Sequence, residues 1–166
     1  RSWMRDPEET LEELTKILDD LSSRPEDVVI LVEGQKDRAA LSVLGVGGEI
    51  WRVQGPNPLL ATAERLAREG RRAIILTDWD RKGGQIAHSL RLGLSACGVQ
   101  YDDSTRTRLV RLVKTEIKDM ESLPAFYTRL VSLEQRAKLE RQTARTNASL
   151  ARLRSAEKKA NAKPPQ

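Results

Sequence analysis

The sequence is poor in the residues on which many small proteins rest. It holds one cysteine, Cys97, and one histidine, His88, among 166 residues. A single thiol excludes an internal disulfide framework and suits a reducing compartment. One cysteine with one histidine also argues against a zinc site, and both residues sit in an apolar helical stretch where packing or surface roles suffice. Aromatic residues make up only 4%, so the core must be largely aliphatic. No stretch nears the roughly 20 apolar residues that cross a bilayer, and the opening "RSWMRDPEE" lacks an apolar signal segment. No repeat of the solenoid kind recurs along the chain. These absences point to a soluble, cytoplasmic protein with no membrane partner, long enough for one ordinary domain plus an appendage.

What is present is unevenly placed. Residues 1–23 carry 3 basic and 7 acidic side chains, residues 24–103 carry 11 of each, and residues 104–166 carry 15 basic and 6 acidic. The formal net charge of +5 therefore belongs to the C-terminal third. Segregation of this kind suits a polyanionic partner, and equally a solvated helical surface.

The periodicities alternate. "DPEETLEELTKILDDL" opens with Asp6 as a cap and Pro7 at the first helical position, with Glu9 three residues after the cap, and Leu11, Leu14, Leu18 and Leu21 form one apolar face. "VVILV" (28–32) reads as a strand covered on both sides. A helix "KDRAALSVL", a strand "IWRVQ", a helix after "GPNP" with Asn57 as cap, a strand "RRAIILT", a helix "GGQIAHSLRLGLSACG" and a short strand "VQY" follow. This order predicts an α/β fold with a parallel sheet of about four strands flanked by helices. Beyond it, "RTRLVRLVKTEI" is basic with Leu109, Leu112 and Val113 on one face, and a long helix with a thin apolar seam begins near Ser122 or Leu123. The expected organisation is an N-terminal helix over 1–25, the α/β domain over 26–103, a basic helical extension over 104–156 and a disordered tail over 157–166.

In parallel sheets, ligands gather at the carboxyl ends of strands. Two such ends carry acids. Glu33 follows the first strand directly in "LVEG", with Gly34 allowing a tight turn. Asp78 and Asp80 follow the third in "ILTDWDRKGG". In an extended segment residues i and i+2 point the same way, so both aspartates can face one point while Trp79 faces another. Like charges this close need a cation, and an all-oxygen donor set favours Mg2+ or Mn2+. Either motif alone is commonly a turn or a helix cap; together, each at a strand end, they are far more specific.

These residues resemble the Toprim domain of topoisomerases, bacterial primases and small maturation nucleases, whose signatures are a glutamate, usually followed by glycine, after the first strand and a DxD followed by a basic residue and glycine. The resemblance spans about residues 26–102 and is nearest to the small stand-alone Toprim proteins best known from archaea. Lys82 and Gly84 stand where type IA topoisomerases carry glutamates, the short chain is expected to have no room for their tyrosine-bearing domain, and the zinc-binding module and further catalytic segments of primases are not found in it. The remaining likeness is to the Toprim nucleases, especially the enzyme that trims precursor ribosomal RNA. Haloacid-dehalogenase phosphatases fit less well because their DxD follows the first strand, and response regulators because they keep an acidic pair at the first strand, where only Glu33 stands here.

The resemblance implies that Asp78 and Asp80 hold Mg2+ (or Mn2+), and that Glu33 joins a second metal or acts as general acid/base. Gly34, Gly55 and Gly83 are the turn glycines expected to line the site. Arg81 and Lys82 are placed to hold a scissile phosphate. Lys36 and Arg38, like Arg106, Arg108, Arg111 and Lys114, suit backbone phosphates, although solvated helix surface explains Lys36 and Arg38 as well. With only Phe126 and Tyr127 available for stacking in the basic third, structured RNA or duplex DNA fits better than single strands. The function implied is a metal-dependent nuclease of RNA processing or DNA maintenance. The alternative is a non-catalytic nucleic-acid-binding or accessory module of a ribosomal or DNA-maintenance complex. The last helix can also serve a protein complex or homodimer.

Overall fold

The computed structural model describes residues 6–53 and 58–162. Helix α1 (Pro7–Ser22) starts at Asp6, whose side chain accepts a hydrogen bond from the Glu8 N–H. Strand β1 (Val28–Val32) follows, then α2 (Gln35–Val43), β2 (Ile50–Arg52), α3 (Pro58–Arg68), β3 (Arg72–Ile75), α4 (Arg81–Ala96) and β4 (Tyr101–Asp102). Helix α5 (Ser104–Val113), a 3-10 turn at Met120–Ser122 and the long α6 (Leu123–Asn161) complete the order. The strands form one parallel sheet in the order β2-β1-β3-β4. This is the α/β architecture that the alternating pattern predicts, with the N-terminal helix and the C-terminal helical extension in place.

Strand β1 shows why the sheet is central. All five of its residues are buried, and their alternation feeds two cores. Val28, Ile30 and Val32 pack with Leu14, Ile17, Leu18 and Leu21 of α1, Leu109, Leu112 and Val113 of α5, and Leu123, Phe126 and Leu130 of α6. Val29 and Leu31 face the other way, into Ala63 and Leu66 of α3 and Ala87, Leu90 and Leu94 of α4. Each fully buried aliphatic side chain contributes about 1.5–3 kcal/mol, against about 1 kcal/mol for a helix cap. Burial, more than capping, therefore sets where the helices lie. Both Trp51 and Tyr101 pack at the margin of the second core, and Trp79 and Tyr127 at that of the first.

The chain divides into two compact units, Arg1–Leu130 and Val131–Gln166. This one division falls after Leu130, where the sequence expectation placed boundaries at 25 and 103. The reason is the apolar face of α5 and the first turns of α6, which are buried in the same core as β1. The tail also differs: residues 157–161 are helical, where composition pointed to disorder. Alanine, lysine and glutamate in "SAEKKAN" are good helix formers, and α6 simply continues through them. Gly55 and Asn57 lie outside the described residues. Among the described residues, no helix is long and apolar enough to cross a membrane.

Candidate functional site

Strands β1 and β3 are neighbours, with Leu31 paired to Ile75. Their carboxyl ends therefore deliver Glu33 and Asp78 to the same edge. There, Glu33 Oε2 accepts the Asp78 backbone N–H at 2.9 Å. Asp78 Oδ1 in turn accepts the Met120 N–H at 2.8 Å, and the Asp78 carboxylate is near enough for its charge to act on Glu33. Asp80 Oδ1 accepts the Gly83 N–H at 2.7 Å and caps α4. Each of the three acids thus spends one oxygen on a backbone donor.

The loop between β3 and α4 is held from several sides. Buried Thr77 donates its hydroxyl to the Gly83 carbonyl at 2.9 Å. Trp79 turns away, as the alternation requires, and its indole N–H donates to the Ile117 carbonyl at 2.9 Å. Half-buried Arg106 donates from Nε to the Thr77 carbonyl at 2.9 Å and from a terminal nitrogen to the Asp78 carbonyl at 2.7 Å. Gly83 is buried so closely on the Asp78 carbonyl that a Cβ there would overlap it. Glycine is required at this position by close approach alone.

The acids open onto a cleft of about 730 Å³ lined by Glu33, Asp37, Asp78, Lys36, Lys82 and Glu121, among others. Burial raises the Glu33 pKa, and the charges of Asp78, Asp80 and Asp37 add to it against the Asp78 N–H. Asp78 is raised in the same way, first by burial and then by Asp119 and Asp80, against the Met120 N–H. Asp37 is the most perturbed. Burial and the negative charge of Asp78 carry it from the usual 3.8 to about 6, although its carboxylate accepts the Gly34 N–H at 3.0 Å.

The structure gathers Glu33, Asp78, Gly34, Lys36 and Lys82 around one cleft. Asp80 is exposed at the mouth of α4 and close enough to act on the Glu33 charge. Arg38 and Arg81 are exposed on the first turns of α2 and α4, and Lys36 stands 3.8 Å from Glu121. On α5, Arg106 is spent on backbone carbonyls, and Arg108 pairs with Glu13 at 3.1 Å and Asp20 at 3.6 Å. Arg111 borders a surface recess shared with Glu9 and Glu13, and Lys114 is exposed just after α5.

Sequence reasoning missed Asp37, Asp119, Glu121 and the Met120 N–H. Asp37 had a local signal, an acid three residues after the turn glycine, which is the spacing of a capping box. Asp119, Met120 and Glu121 had none, because the 3-10 turn reaches the strand ends only through folding.

A profile of the Toprim domain matches residues 28–112. The chain belongs to the Toprim family. The matched Toprim span runs through α5, in keeping with the place of that helix in the core. A UPF0292 protein of Methanosarcina barkeri is 34% identical over 122 residues, covering 74% of this chain and 83% of its own length. A UPF0292 protein of Thermococcus gammatolerans is 38% identical over 104 residues, covering 63% and 77%. These are small archaeal proteins, as the likeness to stand-alone Toprim proteins implies. A solved structure of a protein from Aquifex aeolicus superposes with a TM-score of 0.56 at 25% identity, covering 66% of this chain and 96% of that one.

Toprim domains generally bind divalent metals such as Mg2+, and membership carries a metal-binding function related to nucleic acids. The donor set here agrees in kind. Glu33, Asp78 and Asp80 are hard oxygen donors, and each keeps a second carboxylate oxygen beyond the one given to a backbone N–H. Among the described residues, no three His, Cys, Asp or Glu side chains form a ready-made ligand cage. Mg2+ commonly takes one or two carboxylates and completes its shell with water and substrate phosphate, so a partial set of this kind fits it.

Proposed function

We propose that this Toprim protein hydrolyses nucleic-acid phosphodiesters with Mg2+ or Mn2+, as a nuclease of RNA processing or DNA maintenance. The observation that carries the reading is the approach of the Glu33 and Asp78 carboxyls at the carboxyl edge of the sheet, both with raised pKa, facing a cleft that also holds Lys36 and Lys82.

Asp78 and Asp80 are the residues that would hold the metal, which when bound polarises a phosphoryl oxygen and lowers the pKa of water. Glu33, held by the Asp78 N–H, is poised to exchange a proton with the attacking water or the leaving oxygen. Lys82 on the first turn of α4 and Lys36 on that of α2 flank the cleft as point charges for the phosphate. Arg106 binds no substrate in this scheme; it positions Asp78 by holding two carbonyls of its loop.

The alternative is a non-catalytic module that binds metal and nucleic acid without turnover. One observation favours it: the acids do not form a closed three-ligand set. The test is incubation of wild type, Glu33→Gln and Asp78→Asn with labelled structured RNA, duplex DNA and single-stranded DNA, in Mg2+, Mn2+ or EDTA. Metal-dependent cleavage by wild type alone, reduced at least about 100-fold in either variant, is the expected outcome. No cleavage of any substrate would end the catalytic reading.

A further inference from the structure

The second compact unit is a helix without a core. Every residue from Lys138 to Asn161 is exposed, including Leu139, Leu150 and Leu153. From residue 136 to 159 it carries eight cations, at 136, 138, 141, 145, 152, 154, 158 and 159, and two acids, Glu140 and Glu157. Among the described residues, none of these eight cations enters an ion pair. Arg141 and Arg145, like Arg154 and Lys158, are i,i+4 neighbours of one sign, which destabilises a free helix. A polyanion laid against such a helix would relieve this repulsion.

The cations are not scattered. At about 100° per residue, Lys138, Arg141, Arg145, Arg152 and Lys159 fall on one edge of α6. Arg136, Arg154 and Lys158 fall on another. The shorter arc between the edges carries Ala137, Ala144, Ala148, Ala151 and Ser155, all small, with Leu133 at its start and Glu140 on its border beside the edge of Lys158. The longer edge extends for about 31 Å at 1.5 Å per residue.

We propose that residues 136–159 of α6 lie in the major groove of duplex DNA, with one cationic edge on each phosphate backbone. The inference rests on the nucleic-acid reading above and names its substrate class. A helix with its side chains is about 10–12 Å across, and the B-form major groove is about 12 Å wide. The A-form major groove is too narrow and deep for side chains to read. The alanines between the edges permit close approach to the groove floor. Single strands are disfavoured because this helix carries no aromatic side chain beyond Tyr127 on which bases could stack. Pairing of two copies along the alanine arc is disfavoured too. With Leu130 and Ala137 at one seam position, the other seam position holds Leu133, Glu140, Asn147 and Arg154, which a coiled coil does not accept in succession.

The test is titration of the full chain, in EDTA to prevent turnover, against labelled duplex DNA, duplex RNA and single-stranded DNA of about two helical turns. Wild type is expected to bind duplex DNA most tightly, with log K falling linearly in log salt. Combined Arg145→Gln, Arg152→Gln and Lys159→Gln should reduce that slope by about 3, as should Arg136→Gln, Arg154→Gln and Lys158→Gln on the other edge. Glutamine is a good helix former and these positions are exposed, so circular dichroism should show unchanged helix. Ala144→Glu should weaken binding by placing an anion between the edges.

Unchanged slopes in both combined variants would overturn the inference. So would equal or tighter binding of duplex RNA or single strands, or self-association lost in Ala144→Glu with DNA binding intact. A protein that binds duplex DNA through both edges yet hydrolyses nothing keeps this inference and ends the catalytic reading. Cleavage with unaffected binding in the edge variants does the reverse.

Discussion

Asp37 shows how one side chain can carry charge at the expense of stability. Its folded pKa of about 6 lies above the usual 3.8, so between these values the native state binds more protons than the unfolded chain. Stability from this group is therefore full below about pH 4 and lost as pH rises through 6. Asp37→Asn keeps an acceptor for the Gly34 N–H and removes the charge. In metal-free protein, urea unfolding across pH 4–8 should show the variant gaining on wild type up to about pH 6 and staying more stable above it. Parallel curves would show that Asp37 does not carry this burden. Gly83 makes the opposite kind of prediction. A methyl group there must displace the Asp78 carbonyl, so Gly83→Ala should lower stability by about 1–3 kcal/mol and abolish cleavage. Gly84→Ala next to it, where a Cβ meets nothing, should do neither.

At the scale of elements, α5 changes character between sequence and structure. Its arginines read as a polyanion-binding row, but its apolar face docks on β1 and two of the arginines are taken up by other partners, Arg106 half-buried and Arg108 at the surface. Arg106 bonds two carbonyls in the DxD loop, and losing hydrogen bonds to a charged group costs about 1.5–3 kcal/mol. Arg106→Gln should therefore loosen the Asp78 loop and weaken Mg2+ binding, measured by calorimetry, with little change in the salt dependence of nucleic-acid binding. A large loss of salt dependence instead would assign Arg106 to the phosphate backbone. The first turns of α6 behave similarly. Phe126 and Leu130 are core residues, and the helix becomes fully exposed only beyond them.

At the scale of the whole molecule, the charge segregates by role. The acids collect at the sheet edge, from α2, the β3–α4 loop and the 3-10 turn, while among the described residues cations outside any ion pair accumulate on the second unit. Removing metal with EDTA should leave binding to duplex DNA within about threefold while eliminating cleavage, as the two functions sit on different residues. Loss of binding on chelation would instead assign affinity to the metal site.

Much of this was legible without a structure. The five-residue apolar run of β1, the spacing of Glu33 from the DxD pair and the alternation of helix and strand patterns each follow from local periodicity. They suffice for a parallel sheet with acids at its carboxyl edge. What folding alone decided is which acids meet. Asp119, Glu121 and the Met120 N–H arrive from more than 40 residues away in sequence, and no local pattern encodes such an approach. The same holds for Arg106 and Arg108, whose charge is visible in the chain but whose partners are not. Periodicity reports which face of an element is apolar; only the packing of those faces determines which polar groups are brought together.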